Sequence, residues 1–113
     1  MSVWYDQGVS KYDYVGWKYY YDHWYYGSSK NILQIGWENI NGKWYYFNTN
    51  GIMATGWISL NGEWYYLTSN GDMVTGAQTI NNKEYYFTSE GVMVRGWHKE
   101  NDKWKYYSPK KMS

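Results

Sequence analysis

A chain of 113 residues that carries 16 Tyr and 9 Trp has the length of one ordinary domain without the aliphatic stock for a conventional core. Its net charge of +1, with no block of like charge, argues against a nucleic-acid or membrane surface driven by electrostatics. With no Cys there is neither a disulfide framework nor a thiolate metal site, and no apolar run reaches the length needed for membrane insertion.

In chain order, residues 1–15 hold Trp4-Tyr5, twenty residues before Trp24-Tyr25, and read as the second half of a repeat whose first half is absent. Repeats then follow at 16–35, 36–55, 56–75, 76–95 and 96–113, in one repeat module over 1–113. Gly16-Trp17, Gly36-Trp37, Gly56-Trp57 and Gly96-Trp97 open four of them, and Gly76-Ala77 opens the other. A second Trp follows seven residues after the first, at Trp24, Trp44, Trp64 and Trp104, with Glu84 in the odd slot. Tyr pairs come next, at Tyr25-Tyr26, Tyr45-Tyr46, Tyr65-Tyr66 and Tyr85-Tyr86, while the last repeat has Lys105-Tyr106. Internal periodicity of this kind marks a stack of supersecondary units.

Each unit reads as strand, tight turn, strand, loop. Asn41-Gly42 and Asn61-Gly62 are strong type I′ hairpin signals, because both turn positions need positive φ. Asn81-Asn82, Asn101-Asp102 and Tyr21-Asp22 are weaker versions. Asn50-Gly51, Asn70-Gly71 and Glu90-Gly91 punctuate the links between hairpins. Strand alternation puts Trp44 with Tyr46 on one face and Tyr45 with Phe47 on the other. Ile40, Tyr45 and Phe47, with their equivalents, are expected to form the inner stacking surface. Trp37, Trp44 and Tyr46, with theirs, are expected on the side not used for stacking. Glu100 and Lys105 occupy two inner slots of the last repeat, as suits a terminal unit. A lone hairpin is marginal in water, so the units must stack, and the expected fold is an all-β β-solenoid.

Aromatic rings repeated in this way could simply fill space. Two Trp and one Tyr per unit are nevertheless costly for packing alone. Two rings of one hairpin and one of the next make an open box that attracts a quaternary ammonium group by cation–π interaction. Such a site is weak, and becomes useful when several engage one polymer.

The stretch from Gly36 to Trp57, with Lys-Trp-Tyr-Tyr-Phe and Asn-Gly-Ile-Met-Ala-Thr-Gly-Trp, resembles the choline-binding repeat of the wider cell-wall-binding repeat family. The resemblance covers nearly the whole chain and is weakest over 1–15. It implies a β-solenoid that binds choline on bacterial teichoic acids and anchors a cell-wall hydrolase, phage endolysin or surface protein. Carried onto this sequence, it implies three sites. The first is Trp17, Trp24 and Tyr46, with Leu33 in place of the usual Met. The second is Trp37, Trp44, Tyr66 and Met53, and the third is Trp57, Trp64, Tyr86 and Met73. The choice of Tyr within each pair comes from strand alternation. Ala77 and Glu84 remove both Trp of repeat 76–95, so a fourth site with Tyr106 and Met93 is expected to be absent. An N-terminal half-site from Trp4 and Tyr26 is a further suggestion.

A carbohydrate-binding module is the alternative, since similar repeats occur in glucan-binding regions of secreted glucosyltransferases and in clostridial toxins. Lys83-Glu84-Tyr85-Tyr86-Phe87 looks more like those relatives, whereas Trp24, Trp44 and Trp64 favour choline. His23 and His98, read as exposed, pair with no nucleophile or carboxylate at a recognisable spacing, and the carboxylates form no recurring pair. The chain is therefore expected to be no enzyme, with no metal and no cofactor. Trp97 and Trp104 have no following repeat in this sequence and read either as a cap or as a surface covered by a partner in a homodimer through the C-terminal repeat, and Lys110-Lys111 reads as a solvated tail. The start has no signal-peptide character, so the chain reads as a module of a longer exported protein or of a phage protein, acting extracellularly at the bacterial cell wall.

Overall fold

The computed structural model describes residues 15–29 and 32–108. Trp4, Tyr5 and Lys110-Lys111, and with them the N-terminal half-repeat and the tail, lie outside the described residues. The chain divides into two compact units, Met1–Ala54 and Thr55–Ser113.

All regular structure among the described residues is β. The first unit holds the hairpin β1 (Gly16–Tyr20) and β2 (His23–Ser29), the short β3 (Ile32–Leu33), and the hairpin β4 (Gly36–Ile40) and β5 (Lys43–Phe47). The second unit holds β6 (Gly56–Leu60) with β7 (Glu63–Leu67), β8 (Gly76–Ile80) with β9 (Lys83–Phe87), and β10 (Gly96–Glu100) with β11 (Lys103–Tyr107). Each hairpin is antiparallel with the same register, for example Trp37 opposite Tyr46 and Asn39 opposite Trp44. Every two-residue turn has both residues at positive φ, from Asn41 (55°) and Gly42 (88°) to Tyr21 (48°) and Asp22 (65°). That is the type I′ geometry expected of Asn-Gly, and it is imposed even where the residues suit it poorly.

The links between hairpins are built alike. Asn48 Oδ1 accepts from the amides of Asn50 and Ile52, and Thr88 Oγ1 accepts from those of Glu90 and Val92. The link then pairs back onto its own hairpin, with Phe47 opposite Met53, Leu67 opposite Met73 and Phe87 opposite Met93. In the first repeat this pairing is long enough to make β3 a third strand. Gly91 has a φ of 87°, and a Cβ there would run into the sulfur of Met73. Left-handed strain and this clash both oppose a side chain. Gly91→Ala is expected to cost about 2 kcal/mol, read as a lower thermal midpoint by circular dichroism.

The buried slots follow the expected alternation. Phe47, Leu67 and Phe87 are fully buried, and Tyr25, Ile40, Ile80 and Tyr85 are buried beside them. The other face requires a correction. Trp17 lies 4.9 Å from Tyr45 and 5.8 Å from Phe47 of the next hairpin, and Trp57 lies 4.9 Å from Tyr85 and 5.9 Å from Phe87. The Trp face is thus itself a stacking face. A hairpin inside a stack has neighbours on both sides, so no face is left over for binding alone. Within each unit the hairpins are stacked as in a β-solenoid, the Trp face of one meeting the Tyr/Phe face of the next.

Candidate functional site

The candidate sites grow from this stacking. In the first unit Trp17 stands opposite Tyr26 across the β1–β2 ladder, and Trp24 lies diagonal to it on the same face. The Trp17 and Trp24 rings meet edge to face at 6.1 Å and 84°, with Tyr26 at 5.2 Å from Trp17. Tyr45 closes the cluster from the next hairpin at 72° to Trp17. The second unit repeats the arrangement forty residues later. Trp57 and Trp64 meet at 6.2 Å and 84°, Tyr66 lies 5.1 Å from Trp57, and Tyr85 stands at 65° to it. Two indoles at right angles, with a phenol from the next hairpin, present ring faces from different directions. That geometry suits a compact cation with an apolar skin. Trp24 keeps 41% of its surface exposed, so the first cluster is open to solvent at one wall.

The structure distributes the expected residues differently in two respects. From the next hairpin, Tyr45 and Tyr85 are the tyrosines that lie against Trp17 and Trp57, while Tyr46 lies 5.1 Å from Trp37 of its own hairpin and Tyr86 lies 4.3 Å from His98. The linking Met also moves by one repeat. The Met53 amide donates to the Trp24 carbonyl, and the Met93 amide to the Trp64 carbonyl, each at 2.8 Å. Met93 joins Ile80, Tyr85 and Phe87 in the core on which Trp57, Trp64 and Tyr66 pack. Leu33 and Met73 instead fill the space beside Gly51 and Gly91 of the following link. Of the expected second site, Trp37, Trp44 and Met53 belong to the first unit and Tyr66 to the second. There Trp37 packs on Tyr46, and Trp44 is 43% exposed.

The interface between the last two hairpins is chemically distinct. Ala77 and Glu84 stand where Trp57 and Trp64 stand one repeat earlier, and Lys105 takes the slot of Tyr85. Glu84 and Lys105 form an ion pair at 2.5 Å, and this carboxylate holds the Lys105 ammonium above its usual pKa. Tyr107 is buried and donates to Glu100; burial first and this carboxylate second push its phenol well above the ordinary range. His98 is only half exposed, packed on Tyr86, where the sequence suggested a surface residue; His23 is exposed in the first turn. Trp97, Trp104 and Tyr106 of the last hairpin are largely exposed. Among the described residues no three His, Cys, Asp or Glu side chains gather as metal ligands would.

The Trp clusters also gather residues outside the expected sites: Tyr45, Tyr85, Met93 and the aromatic Tyr19, which lies 5.1 Å from Trp24. Counting which linker pairs back onto which strand would have found Met93; the alternation rule alone could not.

Stacked hairpins with ring clusters at their junctions define a β-solenoid repeat module. The chain belongs to the choline-binding repeat family, whose model matches residues 35–75 and 74–111. Among solved structures it is similar to choline binding protein F from Streptococcus pneumoniae, with 44% identity, a TM-score of 0.82, and 85% of this chain and 32% of that one covered. It is also similar to CbpJ from the same species, at 42% identity and a TM-score of 0.81, over 84% of this chain and 33% of that one. A multimodular pneumococcal cell-wall endolysin from phage Cp-1, solved in complex with choline, matches at 36% identity and a TM-score of 0.66, over 89% and 31%. The chain spans about a third of the length of each of these proteins. No curated protein sequence matches it.

Proposed function

We propose that this chain is a non-catalytic targeting module that binds choline residues of teichoic acids at the bacterial cell wall, outside the cell, and so anchors a parent hydrolase or surface protein. The observation that carries the reading is the repetition of one ring geometry at Trp17, Trp24 and Tyr45 and again at Trp57, Trp64 and Tyr85. Packing alone does not require the second indole of each cluster, since the fourth hairpin keeps its stack with Glu84 in that slot. Each ring contributes roughly 0.5–2 kcal/mol to holding a quaternary ammonium, which after losses corresponds to roughly millimolar affinity per cage. Several cages along one module then hold a choline-bearing polymer by avidity. Glucan binding fits less well: the family is that of choline-binding repeats, and Trp24 and Trp64 build upright walls where a sugar needs a flat platform.

Choline titrated against indole fluorescence is expected to give a saturable change, and α-glucan none. Trp64→Ala should weaken the third-hairpin cage about tenfold, whereas Lys99→Ala should leave binding unchanged. The reading fails if choline produces no saturable change up to roughly tens of millimolar, the range in which millimolar sites fill.

A further inference from the structure

We infer that Tyr19 and Asp22 give the cage of the first hairpin a fourth, electron-rich wall, making it a tighter quaternary-ammonium site than the cage of the third hairpin. This rests on the choline reading above and concerns how the two cages differ.

The two clusters match at their common rings, so any difference must come from what stands beside them. Position 19 lies on the same strand face as Trp17 and directly opposite Trp24. Its equivalents in the later repeats are Asn39, Ser59, Thr79 and Lys99, none of them aromatic. The Tyr19 ring lies 5.1 Å from Trp24 at 52°, which sets it beside Trp24 at the rim of the cage, on the side of the hairpin tip. Both residues stay open to solvent, Tyr19 at 53% and Trp24 at 41% of their surface.

Asp22 completes the arrangement. The type I′ turn, with Tyr21 and Asp22 at positive φ, folds the carboxylate back towards the strand. The Tyr19 hydroxyl donates to Asp22 Oδ1 at 3.3 Å. A phenol that donates to a carboxylate carries more negative charge on its ring face, which strengthens its attraction for a cation. The carboxylate adds its own charge at the rim. In the third hairpin the turn has Gly62 at the position of Asp22 and Ser59 at that of Tyr19, so both contributions are absent there. The negative charge beside Tyr19 is also felt by its phenol, whose pKa is raised chiefly by Asp22.

The test resolves the two cages in the intact chain. The indole N–H resonances of Trp24 and Trp64 are followed by 15N-edited NMR during a titration with choline chloride. Trp24 is expected to reach its midpoint at about fivefold lower choline than Trp64. Tyr19→Ser should bring the two midpoints together without moving that of Trp64, Tyr19→Phe should close part of the gap, and Asp22→Asn should close part of it too. Added salt should narrow the gap in the wild-type chain, because the Asp22 charge is exposed and screened. Equal midpoints in the wild type, or a gap that survives Tyr19→Ser in a folded protein, overturn the inference and leave the choline reading standing. Resonances that do not move at all overturn that reading, and this inference with it.

Discussion

Phe87→Ala is expected to lower the thermal midpoint more than any other single truncation in the second unit. The side chain is fully buried and shares a core with Ile80, Tyr85 and Met93. Trp57 lies 5.9 Å away on the face of the preceding hairpin, so the ring is shared between two repeats. Truncating a buried Phe costs about 3–5 kcal/mol, the lost transfer energy plus a cavity the neighbours cannot fill. Domains of this size have roughly 5–15 kcal/mol in all, so the variant should be close to unfolding at ambient temperature. Phe87→Leu supplies the contrast. Leu67 fills the equivalent slot one repeat earlier and is equally buried, so the fold accepts a branched aliphatic there. That variant should cost only about 1 kcal/mol. Far-UV and near-UV circular dichroism melts distinguish the two, and a loss below about 1 kcal/mol for the alanine variant would show that the hairpins do not share this core. Because Trp57 rests on Phe87, the third-hairpin cage should weaken together with the fold.

The same ring shows where sequence reasoning succeeds and where it stops. The slot of Phe47, Leu67 and Phe87 was legible because strand alternation and a strict twenty-residue period fix which side chains share a face. The turns at Asn41-Gly42 and Asn61-Gly62 were legible because few dipeptides tolerate two positive φ values. Even Tyr21 is drawn into that geometry, at φ 48°, by the register of its hairpin. Alternation is silent, however, on what covers a face. It separated a stacking side from a binding side, whereas Trp17 and Trp57 pack on the next hairpin and are also the proposed walls of the cage. For the same reason it chose Tyr46, which shares a face with Trp37 and Trp44 of its own hairpin, and Tyr86, which shares one with Ala77 and Glu84. The rings that meet Trp17 and Trp57 come from the opposite face of the next hairpin and are therefore Tyr45 and Tyr85. The Met positions slipped through a related cause. A linker is adjacent in sequence to its own hairpin, but the amides of Met53 and Met93 bond to the strands of the hairpins before them, at Trp24 and Trp64. His98 was read as a surface residue because nothing in its local sequence announces Tyr86 beneath it.

A new cage should appear between the last two hairpins when three residues are exchanged for their equivalents one repeat earlier: Ala77→Trp, Glu84→Trp and Lys105→Tyr. The backbone there already has the required register, with Ala77 opposite Tyr86 and Thr79 opposite Glu84, as Trp57 stands opposite Tyr66 and Ser59 opposite Trp64. Tyr107 is buried at the position of Phe87 and supplies the floor on which the indole introduced by Ala77→Trp can rest. The ion pair lost, Lys105 with Glu84, is largely exposed and screened by solvent, so its removal does not threaten the stack. All three exchanges are needed. Glu84→Trp alone leaves the Lys105 ammonium at the cage mouth without its partner, where it repels the ligand cation. Calorimetric titration with choline should then show one more binding equivalent in the triple variant than in the wild type, and no gain in the single one. An unchanged stoichiometry in a triple variant that melts as cooperatively as the wild type would mean that two indoles and a phenol at these positions are insufficient. The cage would then depend on the link as well, since in the third hairpin Trp64 is also tied through its carbonyl to the Met93 amide of the link that follows the next hairpin.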